Sequence, residues 1–185
     1  MKIGVLSFNT EYTMRADRLA RVLEERGFES MWLPEHTHIP VPTGIADGLI
    51  GMPPMSGEEF LPEEYRHMSD PFTSLAAAAA ATRTLCLGTC ICLINQHHPI
   101  NLAKTVSTLD RLSDGRFTLG VGAGWNVAEM ENHGVLFEDR WAQLVERLEA
   151  MRTIWRDERP EFRGRFVEFS PLWQFPKPLR PEGPP

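Results

Sequence analysis

Residues 116–126 read Arg-Phe-Thr-Leu-Gly-Val-Gly-Ala-Gly-Trp-Asn, and this stretch decides how the rest of the chain is read. Phe117 to Val121 is an apolar run of the kind that forms a strand buried on both faces of a parallel sheet. Gly120, Gly122 and Gly124 let the backbone turn tightly and approach a neighbour closely. An amphipathic helix pattern begins within a turn or two. A strand that ends in glycines before a helix is where α/β proteins place a ligand or a phosphate.

Working outward, the same alternation of strand and helix recurs. Ile3 to Phe8 predicts a strand, and Ala16 to Arg26 a helix with an apolar stripe of Leu19, Ala20, Val22 and Leu23, stopped by Gly27. Ser30 to Leu33 is a second strand, ending at Pro34. A long Pro- and Gly-rich loop follows from Glu35 to about Ser69. Asp70-Pro71 is a helix start, with Asp as cap and Pro in the first turn, and Phe72 to Thr82 is alanine-rich. Leu85 to Leu93 is the third strand. Pro99 opens a helix with Leu102, Val106, Leu109 and Leu112 at helical spacing, ended by Asp114-Gly115. After Phe117 to Val121, residues Trp141, Leu144, Val145, Leu148, Met151 and Trp155 form the strongest helical stripe. Phe162 to Phe169 predicts a short hairpin. Such an order implies an α/β fold with a parallel sheet and right-handed crossovers, closed either as an open doubly wound sheet or as a barrel.

Composition narrows the function. The chain has 185 residues, enough for one sizeable core, with 24% charged and 42% hydrophobic residues. The net charge is −6, from 19 Lys and Arg against 25 Asp and Glu, so no nucleic-acid partner is expected. The longest strongly apolar runs, Ser74 to Ala81 and Leu85 to Ile94, fall short of the roughly 18 residues that span a bilayer, so no membrane partner is expected. The apolar run ending at Asn9 is too short for a signal peptide, and a cytoplasmic location is the expectation. Cys86, Cys90 and Cys92 lie in one predicted strand at even positions, and in a regular strand they point the same way. Their spacing matches no zinc pattern, so no metal is expected, and they read as small buried residues in a reducing compartment.

The candidate site residues collect at the C-terminal ends of the strands, where parallel α/β enzymes keep their chemistry. Glu35-His36 follows the second strand, and a histidine there can give or take a proton near neutral pH. His38 stands two residues on. Asn95, Gln96, His97 and His98 follow the third strand and could hold a heterocycle or a substrate oxygen. The glycines do not make a dinucleotide fingerprint, because the third comes one residue early, and Leu119 stands where a methyltransferase loop has an acid. Glu129 and Glu131 read as solvated helix charges.

Taken together, these residues resemble the luciferase-like family of flavin- and deazaflavin-dependent oxidoreductases, from Ile3 to about Pro178. The resemblance rests on "GFESMWLPEHTHIP" (27–40), on the run from Asp70 to Asn126, on "FEDRWAQLVERLEAMRTIW" (137–155) and on the proline-rich tail from Phe162. It implies the N-terminal half of a (β/α)8 TIM barrel, a single domain over 1–185 that stops before the fifth barrel strand. It implies FMN or coenzyme F-420 as cofactor, and hydride transfer or monooxygenation of a small organic substrate. The resemblance assigns His36 and Glu35 as catalytic. It assigns Cys90, Ile91, Asn95, Gly122, Ala123 and Gly124 to the cofactor, with a strand bulge and a non-prolyl cis peptide at Cys90-Ile91. A half barrel implies a homo-oligomer or pairing with a C-terminal half. The alternatives are a non-catalytic flavin-binding or assembly half-barrel and an open-sheet nucleotide-binding domain.

Overall fold

The computed structural model describes residues 1–41 and 61–185, so the loop expected from Glu35 to Ser69 lies partly outside the described residues. Four strands form one parallel sheet in the order β1 (Gly4–Leu6), β2 (Ser30–Leu33), β3 (Cys86–Leu93) and β4 (Phe117–Gly122). Helices α1 (Ala16–Glu25), α2 (Pro71–Ala81) and α3 (Pro99–Leu112) connect them, and α4 (Val127–Asn132) and α5 (Arg140–Arg156) follow. The strand order never reverses, so the sheet lacks the switch point at which doubly wound folds bind nucleotides. This favours the barrel closure over the open nucleotide-binding sheet.

One core explains why the helices sit where they do. Ala20 and Leu23 of α1, Leu75 and Ala78 of α2, Leu102 and Val106 of α3, and Met151, Ile154 and Trp155 of α5 pack on Met31, Leu33, Leu87 and Phe117. The alanines of α2 allow close approach: Ala78 and Ala79 are buried. The other sheet face carries Leu6, which is 54% exposed, and the half-buried Trp32. Trp32 lies across two glycines, because a Cβ on Gly88 would stand 2.3 Å from its ring and one on Gly4 3.0 Å from its Nε1. The first half of α5 departs from the predicted stripe. Trp141 and Val145 are more than half exposed, and the buried apolar residues come further along, from Ala150.

Element boundaries follow local chemistry. The Asp70 side chain accepts a 2.6 Å hydrogen bond from the Thr73 N–H at the start of α2, and Pro71 takes its first position, as the sequence indicates. β1 is shorter than predicted. After Leu6 the chain leaves the ladder, and Asn9 and Thr10 pair instead with Ser69 and Met68. The predicted hairpin is present as β5 (Phe162–Arg163) and β6 (Glu168–Phe169). Its turn is held by the Glu146 carboxylate, which accepts the N–H groups of Arg165, Phe166 and Val167. The tail then runs back over α3, where Asp110 accepts the Leu179 N–H, and reaches the β4 edge, where Leu119 N–H donates to Pro185 O at 2.7 Å.

Glu24 performs a similar task between α2 and β3. Its Oε1 accepts the N–H groups of Arg83, Thr84 and Leu85 and the Thr84 hydroxyl. Burial pushes this carboxyl up, but those four donors outweigh it and bring it to about 2 from an ordinary 4.5. The folded value lies below the unfolded one. The stabilisation is therefore complete above the unfolded value and is lost as pH falls through the folded one. Glu24→Ala is expected to cost about 2 kcal/mol at pH 7, the scale of hydrogen bonds to a charged group. In urea unfolding, the difference from the parent should shrink as pH approaches 2. A constant difference would show that the carboxylate charge is not what stabilises the turn.

Candidate functional site

At the C-terminal ends of β1 to β4 lies a cleft of about 200 Å3. The sequence puts it there through three local departures from regularity. The first is a bulge. Thr89 pairs with Leu119, but Cys92 pairs with Val121, so Cys90 and Ile91 together oppose Gly120. The Cys90-Ile91 peptide is cis, as the resemblance implied. The second is β4, which can follow the bulged strand only with glycine: a Cβ on Gly120 would stand 2.2 Å from Thr89 O, and one on Gly122 1.8 Å from Ile91 Cδ1. The third is Gly124, whose φ of +91° turns the chain out of β4 toward Trp125.

The bulge also changes the cysteine reading. One extra residue reverses the facing of every position after it. Cys86 is half-buried, Cys90 is exposed at the cleft, and Cys92 turns into the helix-side core. The three cysteines therefore do not share a face. Burial, reinforced by the nearby Glu35 carboxylate, pushes the Cys92 thiol well above its ordinary pKa.

His36 forms one wall of the cleft, with Phe8, Tyr65, Cys90, Ile91 and Trp125 around it. Trp125 meets its ring edge-on at 5.5 Å, and Tyr65 lies tilted at 5.4 Å. Its Nδ1 lies 2.8 Å from Glu129 Oε2, with both side chains nearly fully buried. A carboxylate only accepts, so Nδ1 carries the hydrogen, and in the neutral imidazole Nε2 keeps a lone pair. No partner for Nε2 is found among the described residues.

Glu129 corrects the sequence reading, which took it for a solvated charge: it is 1% exposed, whereas Glu131 is exposed. The signal was present in the spacing. Asn126 caps α4 by accepting the Glu129 N–H at 3.1 Å, so Asn126-x-x-Glu129 is a capping pair that fixes this acid in the first turn, at the strand mouth.

The other predicted residues divide into two groups. Glu35, His36, Cys90 and Ile91 come together at the cleft. Asn95, Gly122, Ala123 and Gly124 lie behind it and build its support. Asn95 is 2% exposed and donates from Nδ2 to Ala123 O at 3.1 Å and to Arg140 O at 2.9 Å, which ties the end of β3 to β4 and α5. Glu35 sits beside His36 but turns inward. Its Oε2 accepts the Leu93 N–H at 2.6 Å, and its Oε1 accepts from His97 Nε2 at 2.8 Å. His38 and His133 meet at the rim through Thr37, and Asn132 bonds His38 Nε2. Burial first, then the neighbouring His38, hold the His133 imidazole below the ordinary histidine range. Trp125 and Tyr65 carried no signal on their own in the sequence.

This cleft fits one face of a flat heterocyclic ring. Its walls are apolar and aromatic, its floor is the Cys90-Ile91 bulge, and His36 offers a ring nitrogen with a lone pair.

Comparison with known proteins agrees with this architecture. A family model described as "Luciferase-like monooxygenase" matches residues 1–185. An uncharacterized protein of Mycobacterium tuberculosis is 42% identical over 185 residues, covering 100% of this chain and 64% of that protein. The crystal structure of monooxygenase RslO1 from Streptomyces bottropensis superposes with a TM-score of 0.78 at 29% identity, over 100% of this chain and 52% of the other. An F420-dependent secondary alcohol dehydrogenase in complex with an F420-acetone adduct superposes with a TM-score of 0.73 at 26% identity, over 97% of this chain and 49% of the other. The chain thus spans about half the length of the solved structures it matches. Its four parallel strands with outer helices are those of half a TIM barrel. No helix among the described residues is long and apolar enough to cross a membrane.

Proposed function

The chain belongs to the luciferase-like monooxygenase family, and on that premise we propose that it forms the ring-binding and proton-handling part of a flavin- or coenzyme F-420-dependent oxidoreductase acting on a small organic substrate. The observation that carries this reading is the buried His36–Glu129 pair at the edge of an aromatic cleft. FMN or F-420, when bound, supplies the hydride or oxygen chemistry. The protein's own contribution is positional and protic. Glu129 fixes the tautomer and orientation of His36. The Nε2 lone pair then takes a proton from a substrate hydroxyl, or returns one to a substrate oxygen, at the cleft surface. Trp125 and Tyr65 pack on the imidazole and keep water from its flanks. Ile91 and Cys90 present the bulge that would hold the ring, with Gly122, Ala123, Gly124 and Asn95 keeping that bulge and the β4 mouth in place. Hydride transfer with F-420 is our preferred form, because the His36–Glu129 pair at the cleft suits proton exchange with an alcohol or carbonyl. FMN-dependent monooxygenation is the competing form.

Titration with F-420 and, separately, with FMN tests this directly. Binding should quench ligand fluorescence saturably and more strongly for F-420, and Ile91→Asp should weaken it at least tenfold, because a charge would be buried against the ring. Absence of saturable binding for both ligands would remove the proposal, and tighter FMN binding would reverse the preference.

The exposed sheet face leads to a second expectation. Leu6 and Ile91 leave apolar surface uncovered at the sheet. We propose that residues 1–185 act as one unit that covers this surface with a second copy or with a C-terminal half. Light scattering should show the 185-residue chain as a dimer or larger. A sharp monomer peak at micromolar concentration would count against it.

A further inference from the structure

A second cluster of chemistry lies behind the cleft and is not used by the proposed reaction. We propose that Glu35, Cys92 and His97 form a binding site for a borderline divalent cation such as zinc or cobalt.

The three donors come from three anchored places: the turn after β2, the end of β3, and the turn before α3. One carboxylate oxygen, the Cys92 sulfur and one imidazole nitrogen lie within 4.8 Å of one another, close enough for a single ion to draw all three together by small side-chain shifts. A mixed oxygen, sulfur and nitrogen set suits a borderline metal rather than magnesium or calcium.

Charge supplies the second argument. Glu35 is 4% exposed, and its only hydrogen-bond partners among the described residues are the Leu93 N–H and His97. Among the described residues no lysine or arginine side chain bonds it. A divalent cation held by this buried carboxylate together with the imidazole and the thiol would offset the carboxylate's charge.

The surroundings are also those of a prepared site. The Leu93 N–H holds Oε2 of Glu35, and Oε1 is the oxygen that faces His97. Phe72 packs edge-on against the His97 ring at 5.8 Å and 86°, restricting its rotation. His97, the one donor of the three that lines it, borders an open groove of about 500 Å3 beside α2 and α3. On binding, the Cys92 thiol loses its proton to solvent and sulfur bonds the metal. His97 moves its hydrogen from Nε2 to Nδ1, and Glu35 exchanges its bond to His97 for one to the ion.

Cobalt(II) alone is the probe. Titration of the intact protein should give one equivalent with a sulfur-to-cobalt charge-transfer band, and zinc should displace it. Cys92→Ser should abolish the band, while Cys86→Ser and Cys90→Ser should leave it. His97→Ala should weaken binding at least tenfold. The Tm of the parent should rise with added zinc, and that of the Cys92→Ser variant should not. Circular dichroism of each variant reports whether it folds, and Glu35→Gln, which keeps the side-chain shape, should weaken cobalt binding in a folded protein. The proposal is overturned if the parent shows no thiolate band, if the band persists in Cys92→Ser, or if it disappears with Cys90. None of these readouts involves flavin or F-420, so the cation site can fail while the proposed oxidoreductase stands, and the reverse.

Discussion

His36→Ala is expected to lower turnover by about 10²–10⁴-fold, the usual contribution of a positioned general acid or base, while stability changes far less. The reasoning starts from geometry. His36 stands at the cleft with one nitrogen bound to a buried carboxylate and the other without a partner among the described residues. Glu129→Gln separates charge from shape. The amide keeps the volume and can still accept from Nδ1–H through its oxygen, but it cannot stabilise the imidazolium that forms when Nε2 takes a proton. The expected pattern for Glu129→Gln is a fall in kcat of about tenfold or more, with KM little changed and the pH–rate profile displaced. If His36→Ala keeps more than about a third of parent turnover, the catalytic role is wrong. If Glu129→Gln changes Tm and leaves the pH profile in place, Glu129 is a packing residue and not a positioning one.

The second large effect is expected at Gly120. A Cβ there would stand 2.2 Å from Thr89 O, which is main chain held in the sheet and cannot rotate away. Gly120→Ala should therefore cost about 3 kcal/mol or more and open the β3–β4 pairing around the bulge. Gly122→Ala is a graded control. Its nearest obstacle is the Ile91 methyl, the far end of a side chain that can change rotamer, so the cost should be smaller, and ring binding should suffer more than stability. Gly122→Val should damage both. Chemical denaturation of the series should rank Gly120→Ala as the least stable of the alanine variants. Equal stability for the two alanine variants would mean that the sheet shifts easily at the bulge, against the close-approach argument.

The sequence by itself determined the elements and their order, because those depend on local chemistry. Continuous apolar runs, period-3.6 apolar stripes, the Asp70-Pro71 cap and Gly27 act within a few residues of chain. The placement of Glu35 and His36 at the strand mouth followed from the same rule, since β2 ends at Leu33. The tertiary structure decided three things. It separated the two closures that residue patterns left open, in agreement with the half barrel the family resemblance implied, since strand order and the single helix-covered face are relations among distant segments. It decided which way the cysteines face, because one bulged residue reverses the alternation from which their direction was read. It also decided the role of the acids. Glu129 lies 93 residues from His36, and Glu35 meets its partner 62 residues away. Whether an acid is solvated or buried against a base depends on which helix turn the fold brings to which strand end, and only the packed structure establishes that.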